Sequence, residues 1–382
     1  MTSKDDIILT PADINLEYSP LRRKLKVQTR VLGAFNPGLT RLPNGNLLMM
    51  VRIAEELKNP VIKGEYQVVR WCKKNGFVID KIPVDSLEMN DPRKYRIKSY
   101  QNKTFCLTSF SWLLPVELSE NGDKIEVIHY EKIILPEKEY QEFGIEDARI
   151  TKIDKVYYMT ACAVSSYRHS TILYSSSDGL NYELCGIILD HQNKDMVLFP
   201  RKIGNFYYAL TRPTGDHYFA SDINNLNTPG PAIYLAQSPD LLHWKPVENF
   251  FIQAMNGSMI SEKVGGGAPP IEIENGWLIM FHGVQMSDNV GSYRTFICIL
   301  DKEFPYKILY QNYHDPVLEC NDKLTESLNL NKYLGDIVFT SGIEEDSNNF
   351  IISSGELDLC CRISVIPKIE LNKFIRQSER KI

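Results

Sequence analysis

The 382-residue chain contains no run of 18 apolar residues, and this excludes a membrane-spanning helix at the level of sequence. Its first stretch, MTSKDDIILTPADINLEY, lacks the apolar core and small-residue cleavage site of a secretory leader. A cytoplasmic location without membrane association is the expectation. Basic charge is not in excess: Lys plus Arg number 43 against 48 Asp plus Glu, for a net charge of -5. A general phosphate-backbone binder needs a basic face, so no nucleic-acid partner is expected. The eight cysteines form no CxxC pair and sit mostly in apolar runs, which reads as buried free thiols in a reducing compartment. None of the seven histidines stands in HExxH or another ligand spacing, so no metal site is expected. Long amphipathic helices are scarce too, apart from KIELNKFIRQSERK near the C-terminus.

What remains is a repeated pattern of turn residue, aromatic or aliphatic run and polar end. It occurs at 44–55 (NGNLLMMVRIAE), 102–112 (NKTFCLTSFSW), 154–164 (DKVYYMTACAV), 204–213 (GNFYYALTRP), 275–284 (NGWLIMFHGV) and 348–358 (NNFIISSGELD). Each run has the length and composition of one strand and opens as hairpins do. Their spacing suits one four-stranded blade per repeat. YSSSDGLNY (174–182) and AQSPDLLHW (236–244) share a Ser-x-Asp step before an aromatic and read as outer hairpins of the same unit. The fold class expected is all-β, a single-domain β-propeller of five blades over residues 31–360. Residues 1–30 form an N-terminal arm and 361–382 a segment closing or flanking the propeller. Six runs against five blades is a mismatch, which places an insertion or an elaborated blade within 56–130. The terminal segments are long enough to reach a neighbouring subunit, which leaves a homo-oligomer open.

In a propeller the polar ends of the innermost strands converge on a central channel. Read as those strands, the runs bring together Asn36, Arg52, Asp147, Arg201 with Lys202, Arg212, Lys263, His282, Tyr293 and Asp358. The segment FGIEDARITK places Glu146 and Asp147 ahead of Arg149 at the start of a run. By itself this is either a salt-bridged turn or a working acid with a positioned partner. VGGGAPP (264–270) lacks the GxxxxGK[ST] pattern and precedes no helix, so a tight turn with close backbone packing is the default. Arg168 and His169 read as a solvated loop, and the four tryptophans either stack on a ligand or pack between blades.

GIEDARITKIDKVYYMTA, NKDMVLFPRKIGNFYYALTRP, PGPAIYLAQSPDLLHW, KVGGGAPPIEIENGWLIMFHGV and YRTFICILD resemble the successive motifs of glycoside hydrolase family 130. The resemblance runs from about residue 30 to 360. It implies a five-bladed propeller and, for most members, inverting phosphorolysis of β-mannosides by inorganic phosphate. Asp147 then matches the single catalytic carboxylate, with Ala148 where the family carries proline. The implied phosphate site is Arg201 and Lys202 of LFPRKI, Lys263, His282 and Tyr293. The implied sugar contacts are Asn36, Arg52 and Asp358, with Glu146 and Arg149 shaping the acid's surroundings.

The chemistry agrees with this assignment. Inverting hydrolysis needs an acid and a second carboxylate to deprotonate water, whereas phosphate is already an anionic nucleophile and needs cations to hold it. One acid beside Arg, Lys and His suits phosphorolysis of a β-1,2- or β-1,4-linked manno-oligosaccharide. Phosphate is then a co-substrate and no cofactor is required. A β-mannosidase on the same scaffold is the alternative. To act near neutral pH, the acid is expected to have its pKa raised by burial or by Glu146.

Overall fold

Strand-length runs separated by Asn, Asp and Gly pair their backbone groups most economically as antiparallel hairpins. The computed structural model is built this way. It describes residues 1–91, 93–99, 104–214, 231–286, 290–326, 328, 332 and 334–379. Among them, five sheets contain four or five strands and two contain three. The all-β expectation holds, with helices confined to short segments and Lys368–Glu379.

In chain order the first sheet consists of Thr29–Arg41, Leu47–Leu57, Phe110–Leu118 and Ile125–Ile128. The second is Ile145–Ile153, Val156–Val164, His169–Ser176 and Glu183–Ile187, and the third is Asn193–Leu198, Tyr207–Pro213, Ile233–Ser238 and Lys245–Ile252. The fourth runs Lys263–Gly266, Gly276–Gln285, Ser292–Leu300 and Ile308–Gln311, with Ile271–Ile273 also paired to its second strand. The fifth is Val338–Glu345, Asn349–Glu356, Cys360–Pro367 and, from the other end of the chain, Lys4–Leu9.

Five of the six sequence runs are the second strands of these sheets, not the innermost ones as expected from sequence. The first strands are the ones that meet: Thr29–Arg41 contacts both Val338–Glu345 and Ile145–Ile153, which touches Asn193–Leu198, which in turn touches Lys263–Gly266. The sixth run, 102–112, is not a repeat. Its residues 102 and 103 lie outside the described residues, and the rest spans the strand Thr104–Leu107 and the start of Phe110–Leu118. Between the second and third strands of the first sheet, two three-stranded sheets are inserted. They are Val61–Ile62, Glu65–Cys72 and Gly76–Pro83, then Leu87–Asp91, Lys94–Ile97 and Thr104–Leu107. The extra sequence expected within 56–130 is therefore an insertion.

The two ends of the chain are bound together. Lys4–Leu9 pairs antiparallel with Cys360–Pro367. There Arg362, 3% exposed, donates to both oxygens of Asp5 at 2.7 Å and to Glu356 at 2.9 Å. The helix Lys368–Glu379 buries Leu371 and Ile375 against Phe350 and Ile366 of the same sheet. The tryptophans are packing residues: Trp112 and Trp277 are fully buried, and Trp244 donates to the carbonyl of Leu241 at 2.9 Å. The two Ser-x-Asp steps make matching turns, with Asp178 accepting from the amides of residues 180 and 181 and Asp240 from those of 242 and 243. Cys72, Cys162, Cys185, Cys298, Cys320, Cys360 and Cys361 are free thiols, and no described helix is long and apolar enough to cross a membrane.

Candidate active site

Three first strands break register at equivalent places, between Phe35 and Gly38, Glu146 and Arg149, and Lys194 and Val197. Each break holds a residue in the left-handed region: Asn36 at φ 48°, Asp147 at 54° and Asp195 at 57°. Asn and Asp enter this region more readily than other side-chain-bearing residues, and a bulge re-aims the side chain it carries. The repeat thus turns three polar groups toward one cleft of about 690 Å³, a volume suited to a small ligand. Asp358, at φ 52°, joins them from the turn after Asn349–Glu356.

One side of the cleft is organised by Arg52, which lies opposite Phe35 in the first sheet and above its ring at 4.9 Å. Its guanidinium forks between Asp147 (3.0 Å) and Glu146 (2.8 Å), and its Nε donates to Ser111 at 3.0 Å. Asn36 Nδ2 donates to the same oxygen of Asp147 at 2.9 Å, and Lys194 lies 3.2 Å from Glu146. Burial by itself would raise the Asp147 pKa. The charges of Arg52, Lys194 and Arg149 and the Asn36 hydrogen bond outweigh it and hold the carboxyl well below the usual carboxylate range. The expected upward shift is corrected: in the protein alone Asp147 is a carboxylate. Burial also opposes the ionisation of Glu146, but Arg52 and Lys194 prevail and lower its pKa. Asp358 is raised, chiefly by burial.

On the other side, Asp195 is 2.8 Å from Arg212, 3.7 Å from His282 and 3.9 Å from Arg149. Burial first, and then the charges of Arg212, Arg149 and Lys263, push His282 well below its ordinary pKa, so the imidazole is neutral. Arg212 Nη1 lies 3.3 Å from His282 Nε2. An arginine can only donate there, so the ring proton is assigned to Nδ1. Lys263 and Tyr293 also line the cleft, the ammonium 5.3 Å from the centre of the phenol ring. Gly265 and Gly266 of VGGGAPP lie in the strand Lys263–Gly266, with Gly267 just beyond it, and not in the expected turn. A Cβ on Gly265 would lie 2.5 Å from the His282 ring and 2.6 Å from the Asp195 carboxylate. Glycine at this position is what lets these two groups approach the strand.

Of the residues singled out from sequence, Asn36, Arg52, Glu146, Asp147, Arg212, Lys263, His282, Tyr293 and Asp358 line this cleft. Three do not. Arg201 pairs with Glu272 at 2.6 Å and lies over Trp277 at 4.9 Å, its side chain 41% exposed, and Lys202 lies over Tyr207 at 4.7 Å. Both follow the outer end of Asn193–Leu198, whereas Asp195 lies near its cleft end. Leu198 is three residues beyond Asp195, on the order of 10 Å along the strand at about 3.3 Å per residue, and Arg201 lies three residues further on. The fold does not bring these two residues, expected at a phosphate site, to this cleft. Arg149 is buried behind the cleft and donates to the carbonyls of Gly267 (2.6 Å), Asp147 (3.0 Å) and Ala148 (3.2 Å). It braces the backbone at Asp147 and is not among the residues lining the cleft.

Lys194 and Asp195 were missed, and Arg212 was read as a strand end without being assigned a role. A signal was present: NKDMVLF repeats the layout of GIEDARI, with Lys194–Asp195 in the place of Glu146–Asp147. His169 also lines the cleft and is lowered to about 4, mainly by the charge of Lys194. Among the described residues, no group of three or more His, Cys, Asp and Glu is placed to hold a metal.

Comparison with known proteins places the chain in a family. Residues 108–377 match the model of glycoside hydrolase family 130, described as beta-1,4-mannooligosaccharide phosphorylase. A beta-1,2-mannobiose phosphorylase of Listeria innocua serovar 6a is 30% identical over 357 residues, covering 93% of this chain and 92% of the relative. A beta-1,2-mannobiose phosphorylase of Thermoanaerobacter sp. is 31% identical, covering 66% and 76%. The solved structure of the Listeria innocua beta-1,2-mannobiose phosphorylase in complex with beta-1,2-mannobiose superposes with a TM-score of 0.81, at 28% identity and 97% of both chains. With a family match spanning most of its length and a relative aligned almost end to end, the chain belongs to glycoside hydrolase family 130.

Proposed function

We propose that this enzyme catalyses the inverting phosphorolysis of a β-D-mannoside, giving α-D-mannose 1-phosphate, on a single-domain five-bladed β-propeller whose blades are the five larger sheets. The observation that carries the reading is the division of the cleft. One carboxylate, Asp147, faces a cluster containing Arg212, Lys263, neutral His282 and Tyr293. Of the other carboxylates lining the cleft, Glu146 is paired with Arg52 and Lys194 and Asp358 lies with the sugar contacts, so the one among the cations is Asp195, committed to Arg212 at 2.8 Å. This makes it a poor base for water but a good anchor for a phosphate-binding arginine. The hydrolytic alternative is therefore disfavoured.

In this mechanism, Asn36, Arg52 and Asp358 hold the mannosyl unit, and phosphate sits against Arg212, Lys263, His282 and Tyr293. A phosphate oxygen bonds to the anomeric carbon from the face opposite the leaving group. The glycosidic bond breaks, its electron pair staying on the leaving oxygen, and the proton of Asp147 reaches that oxygen through the mannose O3 hydroxyl, as the family resemblance implies. Asp147 must first gain this proton, and a dianion arriving beside it opposes its ionisation. Phosphate binding is thus expected to take up protons, read by calorimetry in buffers of different ionisation enthalpy. Equal heats in all buffers would contradict this route.

The aligned relatives make β-1,2-mannobiose the first substrate to assay, with β-1,4-mannobiose beside it. Mannose 1-phosphate formed only with phosphate present is the expected product, and free mannose regardless of phosphate would overturn the reading. Lys263→Ala should raise the KM for phosphate about ten- to a hundred-fold, the worth of one charge-assisted contact, and that of the mannoside far less. Arg201→Ala should leave both within about twofold, as for an ordinary surface substitution. A selective phosphate defect in Arg201→Ala would place phosphate at Arg201 and not in this cleft.

A further inference from the structure

Between Val156–Val164, which pairs with the strand of the acid, and His169–Ser176 lies the turn Ser165–Arg168. The turn is well tied. Ser165 N donates to the carbonyl of Arg168 at 3.1 Å, and its hydroxyl donates to the same carbonyl at 3.2 Å. Ser166 N donates to Glu142 at 2.9 Å, and Arg168 Nη1 donates to the carbonyl of Asp190 at 3.3 Å. At its tip Tyr167 is 90% exposed while lining the cleft. A phenol ring left almost wholly in water on a fixed turn forgoes the burial that aromatic side chains ordinarily find.

We infer that Tyr167 is the stacking platform of the leaving-group subsite, an inference that rests on the phosphorolysis reading above. The sugar side of the cleft is supplied by the first and fifth sheets with Asp147, and the cationic side by the third and fourth. The rest of the lining includes this turn, Lys94 of the inserted strand Lys94–Ile97 and Arg93 in the turn before it. A disaccharide with its reducing-end unit directed toward the turn would lay the apolar C–H face of that unit on the Tyr167 ring. The turn continues the strand in which Cys162 and Ala163 pair with Glu146 and Ile145. The platform is therefore held in register with the acid.

The test runs the reaction in synthesis, with mannose 1-phosphate as donor and mannose as acceptor. Tyr167→Ala should raise the acceptor KM about tenfold, the worth of burying one ring face, with the donor KM, the phosphate KM in the forward direction and the melting temperature unchanged. Tyr167→Phe should behave as wild type, because stacking uses the ring and not the hydroxyl. An unchanged acceptor KM in an active Tyr167→Ala enzyme, or an equal rise in donor and acceptor KM, would overturn the platform and leave phosphorolysis standing. A wild-type chain forming no mannose 1-phosphate from either mannobiose would overturn phosphorolysis, and the platform with it.

Discussion

Asp147→Asn is expected to lower kcat for phosphorolysis about 10²- to 10⁴-fold, the usual worth of a general acid. The amide keeps an oxygen for the Asn36 amide and the Arg52 guanidinium, which now meet at Asp147 Oδ1 at 2.9 and 3.0 Å. It has no ionisable proton to deliver. Arg52 keeps Glu146 at 2.8 Å, so its charge is not stranded and the site should hold its shape. The measurement is kcat at saturating phosphate together with a melting curve. Activity within a few fold of wild type would remove Asp147 from the acid's role, and a collapsed melting temperature would point to a structural role instead.

The second large effect lies away from the cleft. Arg362→Met should destabilise the protein by about 3–5 kcal/mol, because removing one partner from a buried ion cluster leaves the others uncompensated. Here Asp5 and Glu356, the latter fully buried, would both lose the guanidinium that now lies 2.7 and 2.9 Å away. Urea titration measures the loss, and adding Asp5→Asn to Arg362→Met should recover part of it. A change below about 1 kcal/mol would mean that strand pairing alone holds the chain ends together.

The second strands of the sheets were legible in the sequence because they are buried on both faces. Such strands read as continuous apolar runs opened by turn residues, as in VYYMTACAV and WLIMFHGV. The first strands were not, because in three of them the bulges that build the site break the apolar pattern with polar residues or proline, as in FNPG, EDA and KD. IEDARI looks like a turn ahead of a strand and is a strand with one residue too many. Asp147, Arg52 and Lys263 were found through motif order. Arg201 lies outside the cleft although PRK presents two cations in a line of sequence, because the fold pairs it with Glu272. Lys194 and Asp195 were passed over because a lone Lys-Asp step carries no signal until it is laid against Glu146–Asp147.

The left-handed backbone at residues 36, 147 and 195 also bears on how the family can vary. Asparagine, aspartate and glycine accept such a conformation at little cost, whereas a β-branched or bulky residue does not. The peptide frame therefore restricts the alphabet at these three places before any selection for catalysis acts. An acid lost at residue 147 has few routes open to it, chiefly the amide or glycine. A descendant that gave up turnover while keeping its sugar site would be recognisable by asparagine there. Alanine scanning, the usual instrument for mapping such a cleft, would at these three positions measure backbone strain along with chemistry.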